Sequence, residues 1–383
     1  MKKIMQWMTA VILLCCSFAF SACVDNGDNP VTKPMLTGKI TSYNKYGAAM
    51  LDITETDMTN AGFTLGDVIF ITIEGKEIVM PYYDGYYNAN GEYVCVAYPG
   101  NPCILFTANS VGLPQGLREL EGHTVTIRMK EKGGSFDVQQ AMGMKFTLDR
   151  NDYPDLSDAE FANARVVSAG NIAKGMLYRS SSPFSNEINR AYYVSAYLES
   201  EGVKTALDLS DDEEDMLSYD MPLYSRTLWE EGNVILCLLR ADPTADDFNN
   251  RLIAALMELP KHPAPYLVHC KEGKDRTGYV CALLEGLCGA TYEEMAADYL
   301  TTYKNFFHVT PETAPDVCNT LLSLRLNPCL MHYAGVSDET QLSDVDYARA
   351  FSDYLLTHGM NQQQLDDLIQ ALTKPSPDFQ NMQ

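Results

Sequence analysis

Ten consecutive residues, His269-Cys270-Lys271-Glu272-Gly273-Lys274-Asp275-Arg276-Thr277-Gly278, leave little choice of architecture around them. The apolar run Pro265-Tyr266-Leu267-Val268 precedes them and reads as a short buried strand; Tyr279-Val280-Cys281-Ala282-Leu283-Leu284 follows and reads as a helix starting beside Gly278. A strand, a glycine-bearing loop and a helix N-terminus in that order turn backbone N–H groups into one concavity, where the helix dipole adds positive potential. Such a cradle holds a dianionic phosphoryl group without a metal. Arg276 adds a planar fork that donates two hydrogen bonds to two phosphoryl oxygens and stays charged while doing so. The expected phosphate-contacting set is therefore Lys271, Glu272, Gly273, Lys274, Asp275 and Arg276.

Cys270 opens the cradle, where the amides, the dipole and Arg276 all favour thiolate over thiol. A free cysteine titrates near about 8.5, and values of roughly 3.5 to 7.5 are usual in electropositive sites. The chemistry this implies is in-line attack of the sulfur on phosphorus, then hydrolysis of the phosphocysteine by water, with the Thr277 hydroxyl donating to the departing sulfur. The leaving group needs a proton from a carboxylic acid opposite the loop. Asp242 is the first candidate: it follows the strand-like run Val234-Ile235-Leu236-Cys237-Leu238-Leu239 on the loop Arg240-Ala241-Asp242-Pro243. As an aspartate ahead of a helical pattern it also suits a cap. Asp275, inside the loop, is the rival, as acid or as a brace paired with a lysine or arginine.

With these residues in view, the loop resembles the signature of the cysteine-dependent protein tyrosine phosphatases. Gly-Lys-Asp-Arg-Thr-Gly is most similar to their bacterial and fungal branch. Leu177-Tyr178-Arg179-Ser180-Ser181, Gly202-Val203-Lys204-Thr205-Ala206-Leu207-Asp208-Leu209 and Ala297-Asp298-Tyr299-Leu300 extend the likeness over roughly residues 160 to 373. It implies an α/β domain with a central, mostly parallel sheet flanked by helices, and an aspartate acid at the place of Asp242. It also implies that His269 supports the loop structurally, and that the substrate is a phosphorylated protein, peptide or small molecule, with mixed phosphotyrosine and phosphoinositide activity. One departure is Ser210, where the branch carries arginine after Asp-Leu. A catalytically silent phospho-ligand binder is the alternative from another class. Arg179 is expected to pair with the acidic run Asp211-Asp212-Glu213-Glu214-Asp215, itself read as a solvated loop. Lys271 and Lys274 either widen the site for substrates with several phosphates or are simply solvated and paired.

Lys2-Lys3, the apolar run Val11 to Phe20 and Ser21-Ala22-Cys23 form a signal peptide of lipoprotein type over residues 1–22. Cys23 would carry the lipid, residues 23–32 would be a tether, and the protein would sit in a bacterial cell envelope, held to the membrane only by that anchor. With 383 residues, 46% of them apolar, the chain has material for two cores. A net charge of −23 repels nucleic acids and anionic headgroups. After the signal, no cysteine pair has metal-ligand spacing, so neither metal nor cofactor is expected. Cys95 with Cys103 and Cys318 with Cys329 are possible disulfides, and free buried thiols are the other possibility. Residues 33–150 alternate as short strands such as Val68-Ile69-Phe70-Ile71-Thr72-Ile73 and suggest a β-rich barrel or sandwich ahead of a phosphatase domain at 155–373, with a tail at 374–383. Tyr82, Tyr83, Tyr86 and Tyr87 are read there as hairpin packing or as a ligand surface.

Overall fold

A computed structural model describes residues 33–240, 242–243 and 246–375. The signal peptide, Cys23 and its tether lie outside these residues, as does most of the tail.

Seven strands close the first lobe into a barrel: β1 (Met35–Tyr43), β2 (Ala49–Leu51), β3 (Val68–Ile73), β4 (Lys76–Tyr83), β5 (Tyr93–Val96), β6 (Leu105–Ala108) and β7 (Thr124–Glu131). Their order is β1-β2-β6-β5-β4-β3-β7, and β7 returns to β1. Every pair is antiparallel except β4 with β5. The period-2 pattern explains the closure: Ile69, Ile71 and Ile73 of β3 and Val125, Ile127 and Met129 of β7 all point into one core. From the end of β4 across β5 and β6 the outer face is buried as well, because Tyr83, Val94, Val96 and Leu105 pack with Val138 of the helix Phe136–Met142. That helix joins the lobes. Its Ala141 belongs to the core of the second lobe, against which Met142 and Met144 also pack.

In the second lobe β8 (Arg165–Val166), β9 (Leu177–Ser180), β10 (Thr205–Asp208), β11 (Val234–Leu236) and β12 (Tyr266–His269) form a sheet in the order β11-β10-β12-β9-β8. All its pairs are parallel save β8 with β9. Alternate side chains of β12 enter different cores: Val268 joins the helices Asp246–Glu258, Asp275–Leu287 and Tyr292–Phe307, while Leu267 joins Ala191–Glu201 and Leu223–Glu230. Burying each such side chain contributes about 1.5–3 kcal/mol, which fixes the register of the central strand and therefore the place where it ends. The late helices run Tyr347–Thr357 and Gln362–Thr373.

Two expectations need correction. The acidic run is a helix, Glu213–Ser218, because Asp212 and Asp215 close a reciprocal cap on its first turn, and Asp211 is buried. The helix after the phosphate loop begins at Asp275, not beside Gly278, so Arg276 and Thr277 lie in its first turn. The described cysteines are all free thiols.

Candidate active site

Cys270 follows directly on β12 and is buried at the C-terminal edge of the sheet, the usual ligand position in parallel sheets. The loop then turns through Gly273 at φ +68°, and a Cβ there would collide with the Ser180 carbonyl at the end of β9. Only glycine allows this approach. Ser182 N–H donates to Lys271 O at 3.1 Å, so the strand end seats the loop from below.

Behind the loop lies a buried ionic brace. Arg179 Nη2 donates to Gly273 O at 3.0 Å, and Asn163 Nδ2 donates to Gly273 O and Glu272 O at 3.2 and 3.3 Å. Both are fixed in turn. Arg179 pairs with Asp298 on the helix Tyr292–Phe307, and Arg165 donates to Asp298 Oδ1 at 2.8 Å and to Asn163 Oδ1 at 2.7 Å. Burial alone would raise the Asp298 carboxyl, but the two guanidiniums outweigh it and hold that group well below the usual carboxylate range. Glu285 behaves oppositely: burial and then the charge on Asp298 push it well above. The acidic partner of Arg179 is thus Asp298 and not the 211–215 run, because β9 lies beside β12 and faces that helix. Arg165, Asn163 and Asp298 were not singled out in the sequence as loop supports; the only signal was the Ala297-Asp298-Tyr299-Leu300 likeness.

Arg276 is half-buried, and its Nη1 donates to Leu209 O and Leu239 O, each at 3.2 Å. Those carbonyls are presented by the ends of β10 and β11. The β11 run stops at Leu236, three residues before the sequence suggested. Leu238 adopts φ +42°, a strained conformation for a branched side chain, and Leu239 N–H still bonds Leu209 O at 2.9 Å. The kink is what places both carbonyls on one guanidinium. Thr277 is fully buried, and its hydroxyl has no hydrogen-bond partner among the described residues.

The remaining loop charges are partnered within the protein. Lys271 is exposed and pairs with Glu187, whereas Lys274 lies 2.9 Å from Glu272 and 3.8 Å from Asp275. Asp275 also accepts from the Tyr299 hydroxyl at 3.3 Å. His269 is fully buried with Nε2 3.6 Å from Asp208 Oδ2, too long for a hydrogen bond. Burial pushes its imidazole down to about 4, against the pull of Asp211, so the ring is neutral near pH 7. Asp211 is pushed up to about 6, first by burial and then by Asp208. Ser210 takes the place of the family arginine by capping Asp208: its N–H and hydroxyl donate to Oδ1 at 2.8 and 2.9 Å.

Asp242 is half-buried on the loop after β11. It lines a cavity of about 590 Å³ with Arg325, Tyr86 and Tyr87, while Asp275 lines an adjoining one of about 160 Å³ that shares those three residues. The two candidate acids therefore flank one cleft. Arg325 sits there on a π-helical turn, Leu322–Leu326, a local irregularity common at functional sites. Among the described residues, no group of three or more His, Cys, Asp or Glu side chains is placed to hold a metal ion.

A model described as "Tyrosine phosphatase family" matches residues 160–374, more than half of the chain. No curated protein matches. Among solved structures, the core catalytic domain of the PP-IP phosphatase Siw14 from S. cerevisiae, in complex with citrate, is 19% identical over 41% of this chain and 87% of that one, with a TM-score of 0.26. TpbA of P. aeruginosa is 19% identical over 55% and 96%, with a TM-score of 0.21. An uncharacterized conserved protein from Thermotoga maritima is 13% identical over 27% of this chain and 40% of its own, with a TM-score of 0.23.

Proposed function

We propose that this chain, which belongs to the tyrosine phosphatase family and is a cysteine-dependent phosphatase of that type, hydrolyses phosphotyrosine in polypeptides through a phosphocysteine on Cys270. The observation that supports this most is the loop itself. A buried cysteine at a strand end, a glycine that no other residue can replace and an arginine on two strand-end carbonyls stand together on one loop.

In the first step the Cys270 thiolate attacks phosphorus. An S–P bond forms, the P–O bond to the leaving group breaks, and its electron pair goes to that oxygen, which takes a proton from the Asp242 carboxylic acid. In the second, water attacks phosphorus while Asp242, now a carboxylate, accepts its proton. The S–P bond breaks and the sulfur leaves as a thiolate, with the unpartnered Thr277 hydroxyl donating to it. Arg276 and the loop N–H groups hold the three equatorial oxygens throughout, which is electrostatic stabilisation in a preorganised site. His269 stays neutral and shapes the loop from beneath. A single-phosphate substrate fits better than an inositol polyphosphate, because Lys271 and Lys274 already have carboxylate partners.

Turnover of p-nitrophenyl phosphate by wild type and Cys270→Ser, with and without vanadate, tests the reading. We expect vanadate-sensitive activity that the serine variant lacks. Activity surviving in that variant overturns the phosphocysteine, and a folded, reduced wild type inert toward every phosphomonoester favours a silent binder. The leader with Cys23 places this chemistry, in the same proposal, on a lipid anchor in a bacterial envelope, facing the periplasm or the outside.

A further inference from the structure

The tyrosines of the barrel stand beside the phosphate loop of the other lobe. The cavity of about 160 Å³ at Lys274 and Asp275 is walled by Tyr86 and Tyr87. The larger one, of about 590 Å³, shares both tyrosines and continues past Asn90, Asn109 and Ser110. A third, of about 530 Å³, shares Tyr86, Asn109 and Ser110 and reaches Tyr46 and Tyr98 on the barrel surface. Shared linings make these successive reaches of one groove that starts at the loop and ends on the other lobe.

We propose that this groove seats the polypeptide flanking the phosphotyrosine, with Tyr86 as the specificity-determining residue; the proposal rests on the phosphatase reading above. Sequence left the tyrosines open between hairpin packing and a ligand surface, and the structure divides them. Tyr82 and Tyr83 are buried in the barrel, whereas Tyr86 is 39%, Tyr98 48% and Tyr46 72% exposed. The rings of Tyr86 and Tyr98 lie 6.0 Å apart, within the range of an aromatic pair. Aromatic surface left in a polar-rimmed groove is the kind that carries recognition energy.

The wall is fixed before a ligand arrives. Tyr87 donates its hydroxyl to Asp84 Oδ1 at 2.8 Å, and Gln139 grips Asp84 twice, from Nε2 to Oδ1 at 2.8 Å and from Asp84 N–H to Oε1 at 3.2 Å. Gln139 belongs to the helix whose Ala141 is rooted in the phosphatase core, so the loop that carries Tyr86 is held in register with the loop that carries Cys270. Preorganisation of this kind lowers the ordering cost of binding. Past Arg325 and Asp242 the groove is lined mainly by phenol, amide and hydroxyl groups. Such a lining suits side chains and backbone amides, not further phosphates.

The experiment compares kcat/KM for a phosphotyrosine dodecapeptide, p-nitrophenyl phosphate and a soluble inositol tetrakisphosphate in wild type, Tyr86→Ala and Tyr86→Phe. The peptide value of Tyr86→Ala should fall roughly tenfold or more relative to that for p-nitrophenyl phosphate, mostly through KM, and Tyr86→Phe should restore the ratio. A ratio within about twofold of wild type overturns the groove while leaving the phosphatase reading intact. A wild type that prefers the inositol substrate to the peptide also overturns it. A wild type that turns over none of the three sinks the phosphatase reading, and the groove with it. Should Tyr86→Ala fail to fold, Tyr98→Ala is read by the same ratio.

Discussion

Behind the catalytic loop, Arg179 is 1% exposed and locked to Asp298 and Gly273 by contacts made wholly within one lobe; across the cleft, Tyr86 and Tyr98 come from the other lobe and leave two-fifths to a half of their surface exposed. The floor tolerates little. Arg165, Arg179, Asn163 and Asp298 pair there with one another or with the loop carbonyls, so a change leaves a charge or a carbonyl without its complement. The wall is anchored at its base by Asp84 and Gln139, but its exposed rings can be exchanged without disturbing a core. A molecule arranged in this way keeps its chemistry fixed and leaves its choice of substrate adjustable.

The strongest test of that division concerns the two aspartates that line the cleft from the second lobe. Asp242→Asn should lower kcat for phosphotyrosine by roughly 10²- to 10⁴-fold and remove the alkaline limb of the pH–rate profile, since a general acid must be protonated to act. The loss should shrink for p-nitrophenyl phosphate, whose leaving group needs no proton. Asp275→Asn, on the floor, should leave the alkaline limb in place and act through the pairing of Lys274 and the Tyr299 hydroxyl. The reverse pattern would move the acid into the loop.

Asp298→Ala probes the floor alone. It leaves Arg165 and Arg179 buried without their counter-charge, which costs about 3–5 kcal/mol. Urea unfolding should show that loss as a fall in midpoint at unchanged slope, and Asp298→Asn, which retains hydrogen-bond acceptors, should lose less. A change below about 1 kcal/mol would mean that the brace is not carrying the loop.

The loop, its strand and its helix were legible in the sequence because they are local: apolar runs, a glycine and charged residues within a short span. Arg276 stood out in the sequence, but its seat on Leu209 and Leu239 did not, since it depends on a positive φ at Leu238 that no pattern announces. The brace was hidden for a related reason. Arg165, Arg179 and Asp298 lie on three elements: the pairing of β8 with β9 brings the two arginines together, and the helix Tyr292–Phe307 sets Asp298 against both. In the barrel the alternation of β3 and β7 announced strands, yet closure into a barrel, and the exposure of Tyr86 beside the other lobe, follow from long-range pairing.

Two buried titrations beneath the floor oppose each other. The folded-state value of His269, about 4, lies below its ordinary 6.5, so its contribution is full above pH 6.5 and is lost as pH falls toward 4, roughly 3 kcal/mol in all. Asp211, raised from 3.8 to about 6, has the opposite sign and loses stability as pH rises through that window. Wild type should therefore change little between pH 4 and 6 through these two groups. Asp211→Asn should unmask the histidine, so that stability measured by urea midpoints climbs with pH more steeply than in wild type. Parallel curves would show that the pair does not titrate as its burial requires.

The smallest effect is expected where the floor meets solvent. Lys271 lies in the loop, yet its side chain is 47% exposed and its partner Glu187 58% exposed, so water already screens the pair. Lys271→Ala should cost about 0–1 kcal/mol in urea unfolding, an effect that falls further in high salt. Turnover of p-nitrophenyl phosphate should change less than about threefold, because Arg276 and the backbone amides remain. A loss greater than about tenfold would place Lys271 on the reacting phosphoryl group and extend the intolerant floor to its rim. Unchanged turnover of p-nitrophenyl phosphate with a selective loss for an inositol tetrakisphosphate would instead make the same lysine a second phosphate contact, and the boundary between fixed chemistry and adjustable choice would then run through the loop itself.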